Sequence, residues 1–191
     1  MWGLQGVERG ASREGYQFHD EGTTADTAVV TGPVSGENHP FVDHFKFVNA
    51  LSDENHVARQ TIPAPIQTFA EVTLDRCDGQ TEILRAVYPT DEALADAIAA
   101  AYRQVIADLY KAGCRNIQFD DCTWGMYCDT TFAAQIGLKH DDNQKICELS
   151  VRLNNATIEE QPDALAYTTP VLRSNYHSNY SFQRSYTPNP P

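Results

Sequence analysis

The chain has 191 residues, 41% of them hydrophobic and 10% aromatic, which is enough to bury one core and argues against disorder. Its formal charge of −12 argues against binding to nucleic-acid backbones or anionic membranes, because both need a concentrated positive surface. No apolar stretch approaches the roughly 20 residues of a membrane span, and Met1-Trp2-Gly3-Leu4 runs into Glu8 and Arg9 rather than a signal-peptide core, so a soluble, cytoplasmic protein is expected.

The first 25 residues are polar and contain glycine, and they read as loop or a weak edge. Thr27 to Ser35 follows as a strand that Gly32-Pro33 breaks or ends. Asn38-His39-Pro40 then opens a helix from about Phe41 to Leu51, with Phe41, His44, Phe45 and Val48 at helical spacing and Asn38 as a cap. His39 and His44 invite a metal-ligand reading, but their Pro and Phe neighbours favour a packed or capping histidine. Val57 to Ile62 is a strand stopped by Pro63 and Pro65, Ile66 to Leu74 a short helix, and Asp75 to Tyr88 a loop turning at Asp78-Gly79.

The clearest helix spans Asp91 to Ala112. Asp91 and Glu92 put negative charge at its positive end, Lys111 sits in its last turn, and Gly113 supplies a left-handed stop. Leu94, Ile98, Ala101, Tyr102, Val105, Ile106 and Leu109 form an apolar stripe that packs on a sheet. After Cys114-Arg115 comes the strand Asn116 to Asp120, in the short helix-to-strand joint of an α/β unit. A helix from Gln144 to Glu160 and a strand from Leu165 to Val171 complete the alternation. That order predicts a parallel sheet, either doubly wound or part of a (β/α)8 TIM barrel, since a complete barrel takes roughly 250 residues. No repeat or low-complexity linker suggests a second domain, so residues 1–191 read as one incomplete barrel domain.

The strand Asn116 to Asp120 runs straight into adjacent carboxylates, Asp120 and Asp121, where an α/β enzyme presents charged groups. Side chains alternate along a strand, so the two Asp residues point to opposite faces or straddle the strand end, and at most one faces a barrel interior. The bland alternative makes both of them solvated loop carboxylates or caps of the next turn. The cysteines Cys77, Cys114, Cys122, Cys128 and Cys147 are odd in number and lack a short-spaced pair, which reads as reduced thiols rather than a disulfide framework. Cys122 and Cys128 are too far apart for a CxxC zinc knuckle, so a metal site there needs convergence with Asp120 or Asp129. Trp124 reads as a pocket wall or core anchor, His177 and Asn175 either as substrate contacts or as a capped turn, and Glu14 or Glu21 as an N-terminal-loop carboxylate near a substrate amino group.

Several stretches occur in an order that resembles one family. They are Thr31-Gly32-Pro33-Val34-Ser35 with Asn38-His39-Pro40-Phe41, then Gln60-Thr61-Ile62-Pro63-Ala64-Pro65, then Ala100-Ala101-Tyr102-Arg103 through Ala112-Gly113-Cys114-Arg115. Ile117-Gln118-Phe119-Asp120-Asp121-Cys122-Thr123-Trp124 and Arg173 with Asn175-Tyr176-His177-Ser178 follow. Together they resemble the cobalamin-independent methionine synthase family, whose barrel is the C-terminal catalytic domain of 5-methyltetrahydropteroyltriglutamate-homocysteine methyltransferase. The resemblance implies zinc-assisted transfer of a methyl group from 5-methyltetrahydrofolate to an amino-acid thiol, homocysteine. It also implies that Asp120, and less directly Asp121, binds the substrate amino group. A carboxylate there holds an ammonium by a charge-assisted hydrogen bond and so fixes the sulfur.

The chain departs from that pattern where the family carries a His-x-Cys zinc pair, which is replaced here by Pro170-Val171-Leu172. Neither proline nor leucine donates to zinc, so no metal ligand is assigned. Expected glycines stand altered as Ser174 and as Arg184-Ser185, and the chain stops at Pro188-Asn189-Pro190-Pro191 before the strands that bring the remaining ligands. The resemblance also puts the family's first strand before Met1. These departures suggest an eroded or truncated product, a reading that a downstream continuation restoring the missing strands would overturn. A partial barrel has open sheet edges and invites self-association. Three readings follow: a methyltransferase impaired in this chain, a non-catalytic remnant or interaction protein, and a uroporphyrinogen decarboxylase-like barrel.

Overall fold

The computed structural model describes residues 2–13, 17–18, 21–22, 26–123 and 140–168. Gln5–Ala11 (β1) pairs antiparallel with Asp26–Ser35 (β4), and between them Gln17–Phe18 (β2) pairs with Glu21–Gly22 (β3). Of the two expectations for this segment, β1 meets the edge strand rather than the loop, and its partners lie 15 to 30 residues away in sequence, which local composition does not reveal. Gly32-Pro33 does not end β4 either. The register steps from Gln5↔Ser35 to Val7↔Val30, so the Gly-Pro stretch bulges opposite Gly6. Gly6 has φ 72°, and a Cβ there would lie 2.3 Å from the Pro33 carbonyl oxygen, so the bulge requires glycine. Pro33 lacks an N–H, and a bulge is where a strand tolerates that loss.

Phe41–Asn49 (α1) begins after Pro40 without a side-chain cap. Asn38 is not the cap, since its φ of 54° places it in the entering turn. The ring of His39 serves instead, with Nδ1 accepting from the Phe41 N–H at 3.2 Å. Of the expected helical stripe only Phe45 is fully buried, while His44 and Val48 face outward.

Gln60–Pro63 (β5) starts three residues later than the sequence suggests and leads into Pro65–Thr73 (α2), whose first position accepts proline because that N–H has no helical partner. Gln80–Val87 (α3) replaces the loop expected from Asp75 to Tyr88. Its two turns are too short for a periodic signal, and it is set by Gln80, fully buried, whose Oε1 accepts from Arg76 N at 2.7 Å while Nε2 donates to Ala28 O at 3.0 Å. Gln80 thus ties α3 to β4.

Asp91–Lys111 (α4) is capped by Thr90, whose side chain accepts from Ala93 N at 3.2 Å. Every residue of its predicted stripe is buried, and Gly113 adopts φ 101° just past the helix. Asn116–Asp120 (β6) then pairs in parallel with β5 on one side and with Ala166–Thr168 (β7) on the other. His140–Ile158 (α5) precedes β7 and docks on α4, where Arg103 Nη1 donates to Ala156 O at 2.6 Å. One hydrophobic cluster unites these parts, from Leu4 and Val30 through Ile62, Ile98 and Ile117 to Leu153 and Leu165.

The architecture is mixed α/β with a three-stranded parallel sheet in the order β5-β6-β7 and helices packed against it. The described strands do not close into a barrel: β5 and β7 are sheet edges, and β4 pairs with β1 rather than with β5. No helix among the described residues is long and apolar enough to cross a membrane.

Candidate functional site at the end of the central parallel strand

Register fixes which side chains share a face of the sheet. Ile62 lies beside Phe119 and Ile117 beside Tyr167, and these face the core, where the Phe119 and Tyr167 rings stack at 5.8 Å and 11°. The opposite face carries Thr61 beside Gln118, Pro63 beside Asp120, and Thr168 beyond Gln118 on β7. None of these is fully buried. The parallel sheet therefore has one greasy face under the helices and one polar face.

The two predicted carboxylates occupy different surroundings. Asp120, half-buried on the polar face, accepts from Gln118 Nε2 at 2.8 Å through Oδ1, and Gln118 Oε1 in turn accepts from Arg59 Nη1 at 2.8 Å. The Asp120 carbonyl accepts from Ala64 N at 2.8 Å, extending the ladder past the last residue of β5 and holding the strand end firmly. Asp121 is buried, and its Oδ1 accepts from both the N–H of Thr123, at 3.0 Å, and its hydroxyl, at 2.7 Å. That is a turn-forming carboxylate. Neighbours in sequence, Asp120 and Asp121 thus have different surroundings, one half-buried on the polar face and one buried in a turn.

Nearby thiol chemistry is subdued. Burial, and after it the negative charge of Asp121, with Asp120 and Glu71 adding to it, pushes the Cys122 thiol up. Glu71 is a buried carboxylate that accepts from Thr27 Oγ1 at 3.3 Å and pairs with Arg76 at 3.4 Å. His39 lines a narrow apolar crevice with Leu4, Phe41, Ile62, Tyr102 and Val105. Among the described residues no group of three or more His, Cys, Asp or Glu side chains is placed to hold a metal ion.

Arg59, Gln118 and Glu71 were not singled out by the sequence. Gln118 had a usable signal, since it stands two residues before Asp120 on an alternating strand and must share its face. Arg59 had none, because its partner is 59 residues away, and the Thr27 partner of Glu71 lies 44 residues off. The readings on Glu14, Trp124, Cys128, Asp129, Pro170, Leu172, Ser174, Asn175, His177 and Arg184 fall outside the described residues, as does the side chain of Glu21.

No protein-family model matches the chain. Two uncharacterized proteins of Bacillus subtilis (strain 168), YxjH and YxjG, are each 27% identical to it, over 184 and 183 residues respectively. These alignments cover 96% of this chain and 46% of each relative, so the chain spans about half the length of the curated relatives it matches. A solved structure from Listeria monocytogenes, provisionally described as a vitamin-B12-independent methionine synthase, superposes with a TM-score of 0.60 at 27% identity, over 88% of this chain and 43% of that one. A B12-independent methionine synthase from Shewanella sp. W3-18-1, in complex with selenomethionine, superposes with a TM-score of 0.55 at 19% identity, over 87% and 40%. The α/β fold of this chain is thus similar to part of the fold of those two structures.

Proposed function

We propose that the chain contributes the amino-acid-binding strand of a cobalamin-independent methionine synthase-like protein, with Asp120 as the group that receives the substrate ammonium. The observation that carries this reading is the position of Asp120 at the carboxyl end of the central parallel strand, on the polar face, with its backbone locked to Ala64 and its carboxylate supported by Gln118. A carboxylate held in that way binds a primary ammonium by a charge-assisted hydrogen bond and fixes the rest of an amino-acid thiol relative to the sheet. The reaction proposed for the complete protein is methyl transfer from 5-methyltetrahydrofolate to homocysteine. The thiol gives up its proton, sulfur bonds to the methyl carbon, and the folate nitrogen keeps the broken bond's electron pair and takes a proton.

For this chain alone a second reading, binding without methyl transfer, is favoured by one observation: the described residues offer no donor set for the zinc that would activate the thiol. Calorimetry with L-homocysteine on the 191-residue chain tests the first element. Binding by wild type that D120N weakens at least tenfold supports the assignment, and equal binding by D120N overturns it. Methionine formation from 5-methyltetrahydrofolate with added zinc then separates the two readings of activity.

A further inference from the structure

Arg59, Gln118 and Asp120 form one hydrogen-bonded line along the polar face, from the residue ahead of β5 to the carboxyl end of β6. We propose that Gln118 is a positioning residue that aims the Asp120 carboxylate at a ligand ammonium, with Arg59 fixing which way the Gln118 amide points; this rests on the reading of Asp120 given above.

The orientation of the amide follows from donor chemistry. A guanidinium only donates, so the Gln118 atom 2.8 Å from Arg59 Nη1 is the oxygen. A carboxylate only accepts, so the atom 2.8 Å from Asp120 Oδ1 is the amide nitrogen. A flipped amide would set its oxygen against the carboxylate and its N–H groups against the guanidinium, two repulsive contacts in place of two attractive ones. The amide dipole is thus held from both ends by opposite charges, which strengthens each bond in the line.

The consequence for Asp120 is an asymmetric carboxylate. Oδ1 is committed to Gln118, whereas Oδ2 has no hydrogen-bond partner among the described residues. An amino group arriving at the strand end therefore meets one oxygen already held and one available. Gln118 can serve because residues two apart on a strand share a face and its longer side chain reaches forward to the shorter one. Asn116, two residues further back on the same face, cannot reach Asp120.

Two measurements test the line. In the ligand-free chain the Gln118 side-chain amide is followed by NMR in wild type, R59M and D120A. Protected, distinct amide proton signals in wild type that shift in both variants support the proposal, and signals that match a free glutamine or ignore either substitution overturn it. Binding is then compared for L-homocysteine and for 4-mercaptobutanoate, which keeps the thiol and carboxylate and lacks the amine. Q118M should lose about tenfold in affinity for L-homocysteine and little for the amine-free compound, as expected when a charged hydrogen bond is misaimed. Equal losses for both compounds would mark Gln118 as merely structural and overturn the positioning role. If wild type binds neither compound, the functional reading falls, and the amide signals still decide whether Arg59 and Asp120 hold Gln118 in place.

Discussion

The hydroxyl of Tyr102 donates to the carbonyl oxygen of Pro63, 3.1 Å away, joining the middle of α4 to the carboxyl end of β5. A carbonyl only accepts, so the phenolic proton goes to Pro63 and the Thr68 hydroxyl, 2.6 Å off, donates to Tyr102. Burial raises the phenol's pKa, and the Thr68 bond opposes that shift in part. The site depends on this junction, because Ala64, the next residue, holds the backbone of Asp120. Tyr102→Phe takes this partner from the buried Thr68 hydroxyl and the part-buried Pro63 carbonyl and should cost about 1–3 kcal/mol of stability by urea denaturation. A change within about 0.5 kcal/mol would mean that the strand end is held by other contacts.

His39 makes stability sensitive to acid. Burial, with the charge of His44 adding to it, holds its pKa down at about 4, against an ordinary value of 6.5. Between those values the unfolded chain binds more protons than the folded one, so stability falls as pH drops from 6.5 toward 4 and is independent of this group above 6.5. The full effect is about 3 kcal/mol. It should appear as a falling denaturation midpoint over that window, reduced in His39→Gln. An imidazole NMR titration centred near 6.5 would refute it.

Gly36 and Gly32 belong to the same sequence stretch but predict opposite outcomes. A Cβ on Gly36 would come 2.0 Å from the Ala101 carbonyl oxygen and 2.8 Å from Val105 Cγ2, so alanine there must push the end of β4 off α4. Thermal or urea unfolding should show a loss of about 1–3 kcal/mol or more for Gly36→Ala. At Gly32 nothing lies within 4 Å, and Gly32→Ala should stay within about 0.5 kcal/mol of wild type. Comparable losses at both positions would place the strain elsewhere.

Tyr167 contrasts with Tyr102. Its hydroxyl is buried with no hydrogen-bond partner among the described residues, and burial, with a contribution from Cys114, pushes the phenol up to about 12. Removing an unsatisfied buried hydroxyl while keeping the ring stacked on Phe119 relieves a desolvation cost. Tyr167→Phe should therefore be neutral or stabilising by about 1 kcal/mol, whereas a loss above that would reveal a partner for the hydroxyl.

The parts legible in the sequence were those encoded by neighbours along the chain. The α4 stripe, its Gly113 stop, the parallel-strand candidate at Asn116 and the carboxylates at its end all follow from signals that operate over a few residues. The parts left open or misread depend on distant partners. The strand β1 requires β4, α3 requires the burial of Gln80 against Ala28, and the Gly32-Pro33 bulge requires Gly6.

The same division holds at the site. Sequence determined that two adjacent carboxylates end a strand and that at most one of them could face a barrel interior, because side-chain direction alternates with every residue. It could not choose between them, since that choice depends on which sheet face the helices cover. The tertiary structure supplied their different surroundings, by packing Ile117 and Phe119 into the core, leaving Gln118 and Asp120 on the polar face and closing Asp121 into a turn with Thr123.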